Sequence, residues 1–212
     1  MENNTTELVF ILDKSCSMSG MEKDTIGGFN AMIEKQKKQE GTAYVSTFLF
    51  SNHTQTLHDR MPLSTIQPLT ENDYQAGGCT ALLDAIGEAI EHISTIYKYA
   101  RVEDVPQNTM FVITTDGMEN ASRKYTNEQI KALIHQKENL GWTFLFLAAN
   151  IDAVSTAENI GICKEHAANY CIEEDTEAVY EEISESICEL RECGSLAPDW
   201  GRRLESKIKK RK

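Results

Sequence analysis

Residues 8–17 read LVFILDKSCS: five apolar residues from Leu8 to Leu12, then Asp13, Lys14, Ser15, Cys16 and Ser17. An apolar run without alternation, closed by a carboxylate and two hydroxyls, is the pattern of a strand buried on both faces that ends in a polar loop. Two further runs repeat it: TMFVITT (Thr109 to Thr115), followed by Asp116, and TFLFLAA (Thr143 to Ala149). A fourth, AYVSTFLF (Ala43 to Phe50), passes through Ser51-Asn52 into HTQTLHDR. The polarity and alternation of that continuation predict a hairpin partner at a sheet edge.

Helical periodicity fills the intervals. Leu82, Ile86, Ile90, Ile93 and Tyr97 form one stripe on a helix of about five turns. Ile26, Phe29 and Ile33 form another, in a helix that Gly27 and Gly28 weaken unless they permit close packing on the sheet. Thr126 with Gln129 is a capping-box start for a helix carrying Ile130, Leu133 and Ile134, and Gly141 is its expected stop. A last helix is expected from Asp175 or Thr176, burying Val179, Ile183, Ile187 and Leu190. Strands alternating with helices predict an α/β fold: a Rossmann-like open, mainly parallel sheet of about six strands, one of them an antiparallel edge strand, with helices on both faces. Residues 1–193 are expected to form this single domain, and residues 194–212 a linker and a basic C-terminal tail.

The 212 residues, 41% hydrophobic and 25% charged, suffice for one sizeable core and exclude a disulfide-dependent miniprotein. With 33 acids against 21 Lys and Arg, the net charge is −12, which argues against a domain built to grip nucleic-acid phosphates. Residues 202–212 hold seven basic residues and one acid, so any nucleic-acid contact falls to that tail, which otherwise reads as disordered and solvated, with docking on another subunit's acidic helix as a further alternative. The acids of residues 173–192 read as a solvated helix face. No run approaches the roughly 18 apolar residues that span a bilayer, and MENNTTELVFILDK has no basic n-region or cleavage site. Six cysteines (Cys16, Cys79, Cys163, Cys171, Cys188, Cys193) form no CxxC pair. A cytoplasmic protein with reduced thiols and no membrane association is expected.

In a doubly wound sheet, ligands sit beyond the carboxyl ends of the strands where strand order reverses. If the strands ending at Asp13 and Asp116 are neighbours there, two carboxylates and the hydroxyls of Ser15 and Ser17 converge, and GGCTALLD brings the hydroxyl of Thr80 at a helix start. Carboxylate and hydroxyl oxygens without imidazole or thiolate suit Mg²⁺ or Mn²⁺ better than zinc. Alternate residues of an extended loop point the same way, so Asp13, Ser15 and Ser17 can share a side.

DKSCS matches a DxSxS signature, and with Thr80 and Asp116 it resembles the metal-ion-dependent adhesion site (MIDAS) of von Willebrand factor A-type (VWA) domains, particularly the small bacterial cytosolic members. The resemblance covers residues 6–165. It implies a Rossmann-like domain that binds Mg²⁺ through Ser15, Ser17 and Thr80, with Asp13 and Asp116 acting largely through water or hydrogen bonds. It also implies that an Asp or Glu carboxylate of a protein partner completes the octahedron. Neutral hydroxyl ligands would leave the cation electrophilic toward that carboxylate. Cys16 stands where many members carry Gly, so two thiols, Cys16 and Cys79, are expected to flank the metal, either as small buried fillers or as a pair whose oxidation disables the site. Gly117, Glu119 and Asn120 are candidates to line it, against an alternative of solvated loop residues for the last two. Asp152 reads as a helix cap and the five histidines as surface residues without a catalytic role.

The sequence therefore points to a metal-dependent protein-binding module and not an enzyme. The alternatives are a Mg²⁺-dependent phosphohydrolase or phosphotransferase in the same crevice, with Lys14 and Arg123 steadying a phosphate, or a scaffold whose tail contacts nucleic acid. Against the enzyme stand the lack of a GxxxxGK loop and of a DxD after the first strand.

Overall fold

A computed structural model of the chain describes residues 5–149, 151–170, 172–197 and 200–211. The apolar runs form strands β1 (Thr5–Asp13), β2 (Thr42–Phe50), β4 (Asn108–Thr115) and β5 (Trp142–Ala149); all of HTQTLHDR but His53 lies in β3 (Thr54–Pro62), and Ala167–Tyr170 forms a short β6. Their order is β3-β2-β1-β4-β5-β6, parallel except for β3, which pairs antiparallel with β2 at one edge. The mainly parallel α/β sheet with its antiparallel edge strand is thus as the sequence predicts.

Side-chain alternation in β1 divides the core in two. Leu8, Phe10 and Leu12 face a cluster with Phe29, Met32 and Ile33 of helix α1 (Glu22–Gln36) and with Val179, Ile183 and Ile187 of helix α5 (Ile172–Cys193). Val9 and Ile11 face the other side, toward α2 (Leu82–Tyr99), α3 (Asn127–Glu138) and α4 (Ala153–Ile160). Both capping expectations hold: Thr126 and Gln129 make a reciprocal capping box, and the Asp152 carboxylate accepts the Ser155 amide at 3.0 Å.

Four expectations need correction. The helix expected from Asp175 or Thr176 starts at Ile172, because β6 ends at Tyr170 and delivers the chain to the helix earlier. Gly28 serves a helix contact and not the sheet: a Cβ there would stand 2.2 Å from Tyr180 Cδ2 of α5. His58 is buried, its Nδ1 3.0 Å from Oγ1 of Thr47, the residue directly opposite it on β2. The basic segment is not a solvated tail.

Residues Trp200–Arg211 form helix α6, with Trp200 and Leu204 fully buried. Arg203 Nε lies 3.1 Å from Glu182 Oε1, and Lys207 Nζ lies 2.8 Å from both Glu182 Oε2 and Glu185 Oε2. Glu182 of α5 has no exposed side-chain surface, and a carboxylate so buried is stable only beside cations, which α6 supplies. The acidic and basic runs of the sequence are therefore two faces of one intramolecular contact.

Candidate metal centre

β1 and β4 are adjacent and parallel, Leu12 opposite Thr114, and the strand order reverses between them. The loops leaving their carboxyl ends consequently share one crevice. Asp13 closes β1 and is 1% exposed. Its Oδ1 accepts the Ser15 amide at 2.7 Å and its Oδ2 the Thr115 hydroxyl at 2.6 Å, while its carbonyl accepts the Tyr74 hydroxyl. With both carboxylate oxygens engaged, Asp13 shapes the loop that carries Ser15 and Ser17.

Those hydroxyls lie 3.0 Å apart, and Ser17 donates to Asp116 Oδ1 at 2.5 Å. Thr80 joins them through Gly117, whose missing side chain leaves room: a Cβ would lie 2.7 Å from Thr80 Oγ1 and 3.2 Å from Ser17 Oγ. All five proposed ligands, Asp13, Ser15, Ser17, Thr80 and Asp116, are thereby brought together with Gly117 in their midst.

Burial pushes the Asp13 carboxyl above its ordinary range, against the hydrogen bonds from Thr115 and Ser15, and the charge of Asp116 adds to the rise. Burial raises Asp116 as well, opposed by Ser17. Lys14, next in sequence to Asp13, turns its ammonium to Gln55 Oε1 at 2.8 Å. Two buried carboxyls and a row of hydroxyls, with the Lys14 ammonium turned to Gln55, form a donor set that fits a hard divalent cation. Among the described residues, no three His, Cys, Asp or Glu side chains gather as a metal cage, so the hydroxyls are essential to any site here.

The candidate lining residues divide. Asn120 orders Thr80, its Oδ1 accepting the Thr80 amide at 2.9 Å and its own amide donating to the Thr80 carbonyl at 3.0 Å. Glu119 is not a solvated loop residue: Oε2 accepts the Leu83 amide at 3.0 Å at the start of α2, and Oε1 accepts the amides of Ala121 and Ser122 at 2.9 and 2.8 Å. The free amides of a helix N-terminus attract a carboxylate in this way. Cys16 and Cys79 are not the small buried fillers expected: both are exposed, because they lie in surface loops, and their amides donate to Gly78 O at 2.9 Å and Asn52 Oδ1 at 2.7 Å. Sequence reasoning missed Thr115, Tyr74, Asn52 and Asp84. The Asp84 carboxylate accepts the amides of Arg123, Lys124 and Tyr125, and only a turn-prone loop opposite a helix start could have hinted at it.

No protein-family model matches the chain, and no curated protein matches its sequence. In structure it is similar to the vWF domain of the type V pili tip protein Mfa5 from Porphyromonas gingivalis, with 11% identity, a TM-score of 0.65, and coverage of 91% of this chain and 98% of that one. The fold is that of a VWA domain. The ArnB paralog VWA2 from Sulfolobus acidocaldarius shares it at 20% identity and a TM-score of 0.54, over 87% of this chain and 45% of that one. So does proximal thread matrix protein 1 from the mussel byssus, in a structure with a zinc-occupied MIDAS motif, at 12% identity and a TM-score of 0.59, over 86% of this chain. This chain spans 46% of the mussel protein's length. Among its described residues no helix is long and apolar enough to cross a membrane.

Proposed function

We propose that the chain is a divalent-metal-dependent protein-interaction module. Asp13, Ser15, Ser17, Thr80 and Asp116 would hold Mg²⁺ or Mn²⁺, and an Asp or Glu carboxylate of a protein partner would complete the site. The carrying observation is the 2.5 Å bond from Ser17 to Asp116, which sets hydroxyls of one loop on a buried carboxyl of another. A bound cation supplies a hard positive charge for the partner's carboxylate to neutralise. Ser15, Ser17 and Thr80 contribute neutral oxygens, Asp13 fixes the loop, and Asp116 orients the Ser17 hydroxyl. A zinc-occupied MIDAS in a structural neighbour supports the general kind of site, while Mg²⁺ or Mn²⁺ rests on the oxygen-only donor set.

A binding role is favoured over a phosphohydrolase or phosphotransferase because Lys14, expected to steady a phosphate, is bonded to Gln55. Nucleic-acid contact through residues 202–212 loses support because Arg203 and Lys207 are engaged by acids of α5. Five free thiols among the described residues support the cytoplasmic setting kept in this proposal.

The test is the melting temperature of wild type and Asp116→Ala in chelator, Mg²⁺ and Mn²⁺. A site filled at 100 times its dissociation constant adds about 2.7 kcal/mol, roughly 5–10 °C here. The wild type should rise and the variant should not. No rise with either ion, even with millimolar acetate present as a surrogate carboxylate, overturns the proposal.

A further inference from the structure

We propose that Cys16 and Cys79 form a peroxide-sensitive dithiol whose oxidation to a disulfide locks the two metal loops together and lowers their affinity for divalent metal. This inference rests on the metal site proposed above and adds its regulation.

Two backbone hydrogen bonds join the loops, Gly77 N to Lys14 O at 2.8 Å and Cys16 N to Gly78 O at 2.9 Å. Cys79 follows Gly78 directly. With standard peptide dimensions, the second bond keeps the Cα atoms of residues 16 and 79 within about 7 Å of each other. Disulfides span Cα separations of roughly 4.4–6.8 Å, so the backbone spacing of the two loops is in the range a disulfide bridges. Both thiols are free and exposed. Two of the other described cysteines lie toward the opposite end of the sheet: Cys163 precedes the start of β6, and Cys193 adjoins Gly194, which packs near Asn108 at the start of β4.

The chemistry balances with hydrogen peroxide as the oxidant. One thiolate attacks a peroxide oxygen and becomes a sulfenic acid, releasing hydroxide that takes up the thiol proton as water. The second thiol attacks the sulfenic sulfur, the S–S bond forms, and the S–OH oxygen leaves as a second water. Two thiols are oxidised and one peroxide is reduced to two waters.

The consequence for metal follows from position. Cys16 lies between Ser15 and Ser17, and Cys79 is bonded to Thr80, so drawing the sulfurs together displaces hydroxyls on both sides of the crevice. There is little slack to absorb this: Ser15 and Ser17 stand 3.0 Å apart, and Thr80 Oγ1 fills the space where a Gly117 side chain would be. Octahedral Mg²⁺ tolerates little change in its oxygen distances.

The experiment treats the full chain with hydrogen peroxide, maps disulfides by non-reducing peptide mass analysis, and titrates Mn²⁺ by calorimetry before oxidation, after it, and after dithiothreitol. The expected result is a peptide pair joining residues 16 and 79, a tenfold or greater loss of Mn²⁺ affinity, and recovery on reduction. The double variant Cys16→Ser/Cys79→Ser should keep its affinity through the same treatment. No such cross-link, or a cross-linked protein with unchanged affinity, overturns the inference. If the reduced protein takes up no Mn²⁺, the metal site itself falls and this consequence with it, and the peptide map still decides whether the dithiol exists.

Discussion

The Ser17 hydroxyl donates to Asp116 Oδ1 at 2.5 Å, joining the loop after β1 to the loop after β4 across 99 positions of sequence. Asp116 is 5% exposed and shares the crevice with Asp13, whose carboxyl is pushed upward by burial and, in smaller part, by the Asp116 charge. Such an arrangement stabilises a bound cation at the expense of the metal-free protein.

Asp116→Asn should raise the melting temperature in chelator by about 2–4 °C, near 1 kcal/mol, because an amide is buried more readily than a carboxylate. The same variant should lose the rise with Mn²⁺. Thermal melts in both conditions read the two effects together, and a variant destabilised in chelator would show that the buried Asp116 carboxyl is no burden on the metal-free protein.

Gly117→Ala places a Cβ 2.7 Å from Thr80 Oγ1 and 3.2 Å from Ser17 Oγ. The hydroxyls must move, so Mn²⁺ affinity should fall at least tenfold, about 1.4 kcal/mol. Circular dichroism should show the fold retained, since only loop atoms are displaced. Calorimetric titration at wild-type affinity would show that the crevice is wider than these distances imply.

Trp200→Ala should destabilise the chain by about 3–5 kcal/mol in urea unfolding, the usual range for a buried tryptophan. Arg203→Glu should also destabilise, because it places a second carboxylate beside buried Glu182. A solvated tail would predict no change from either substitution, so the measurement separates α6 from the picture given by composition.

Burial pushes the Glu7 carboxyl up to about 7, although Arg60 Nε lies 2.9 Å from its Oε2. A carboxyl raised in the folded state binds its proton more tightly there than in the unfolded chain. Its contribution is full below about pH 4.5 and is lost as pH rises toward 7, a span worth about 3 kcal/mol. Glu7→Gln should therefore flatten the fall in urea-unfolding stability between pH 5 and 7.5 relative to wild type. Parallel pH profiles for the two proteins would place the Glu7 titration elsewhere.

Much of the fold was legible because it is written in short-range pattern. LVFIL, TMFVITT and TFLFLAA each lack alternation, and a strand covered by helices on both faces needs apolar residues at every position. The capping box at Thr126 and the cap at Asp152 are likewise satisfied within three residues. The four residues of β6 were not legible, since AANY carries no strand pattern and pairs because β5 offers an open edge. Glu119 was misread for a similar reason: nothing near it in sequence announces that its carboxylate will meet the amide of Leu83, 36 positions away.

The sequence by itself determined the elements and the stock of chemistry: apolar runs that must be buried, periodic stripes that must face a sheet, and carboxylates and hydroxyls at the ends of strands. These follow from the side chains and from the fixed periods of helix and strand. Only the tertiary structure decided which ends meet. The adjacency of β1 and β4 turns Ser17 and Asp116 into one site, the approach of α1 to α5 requires glycine at residue 28, and the burial of Glu182 draws the basic C-terminal segment into a helix. Contacts of this kind depend on shape and charge brought together by the whole sheet, and no window of neighbouring residues contains both partners.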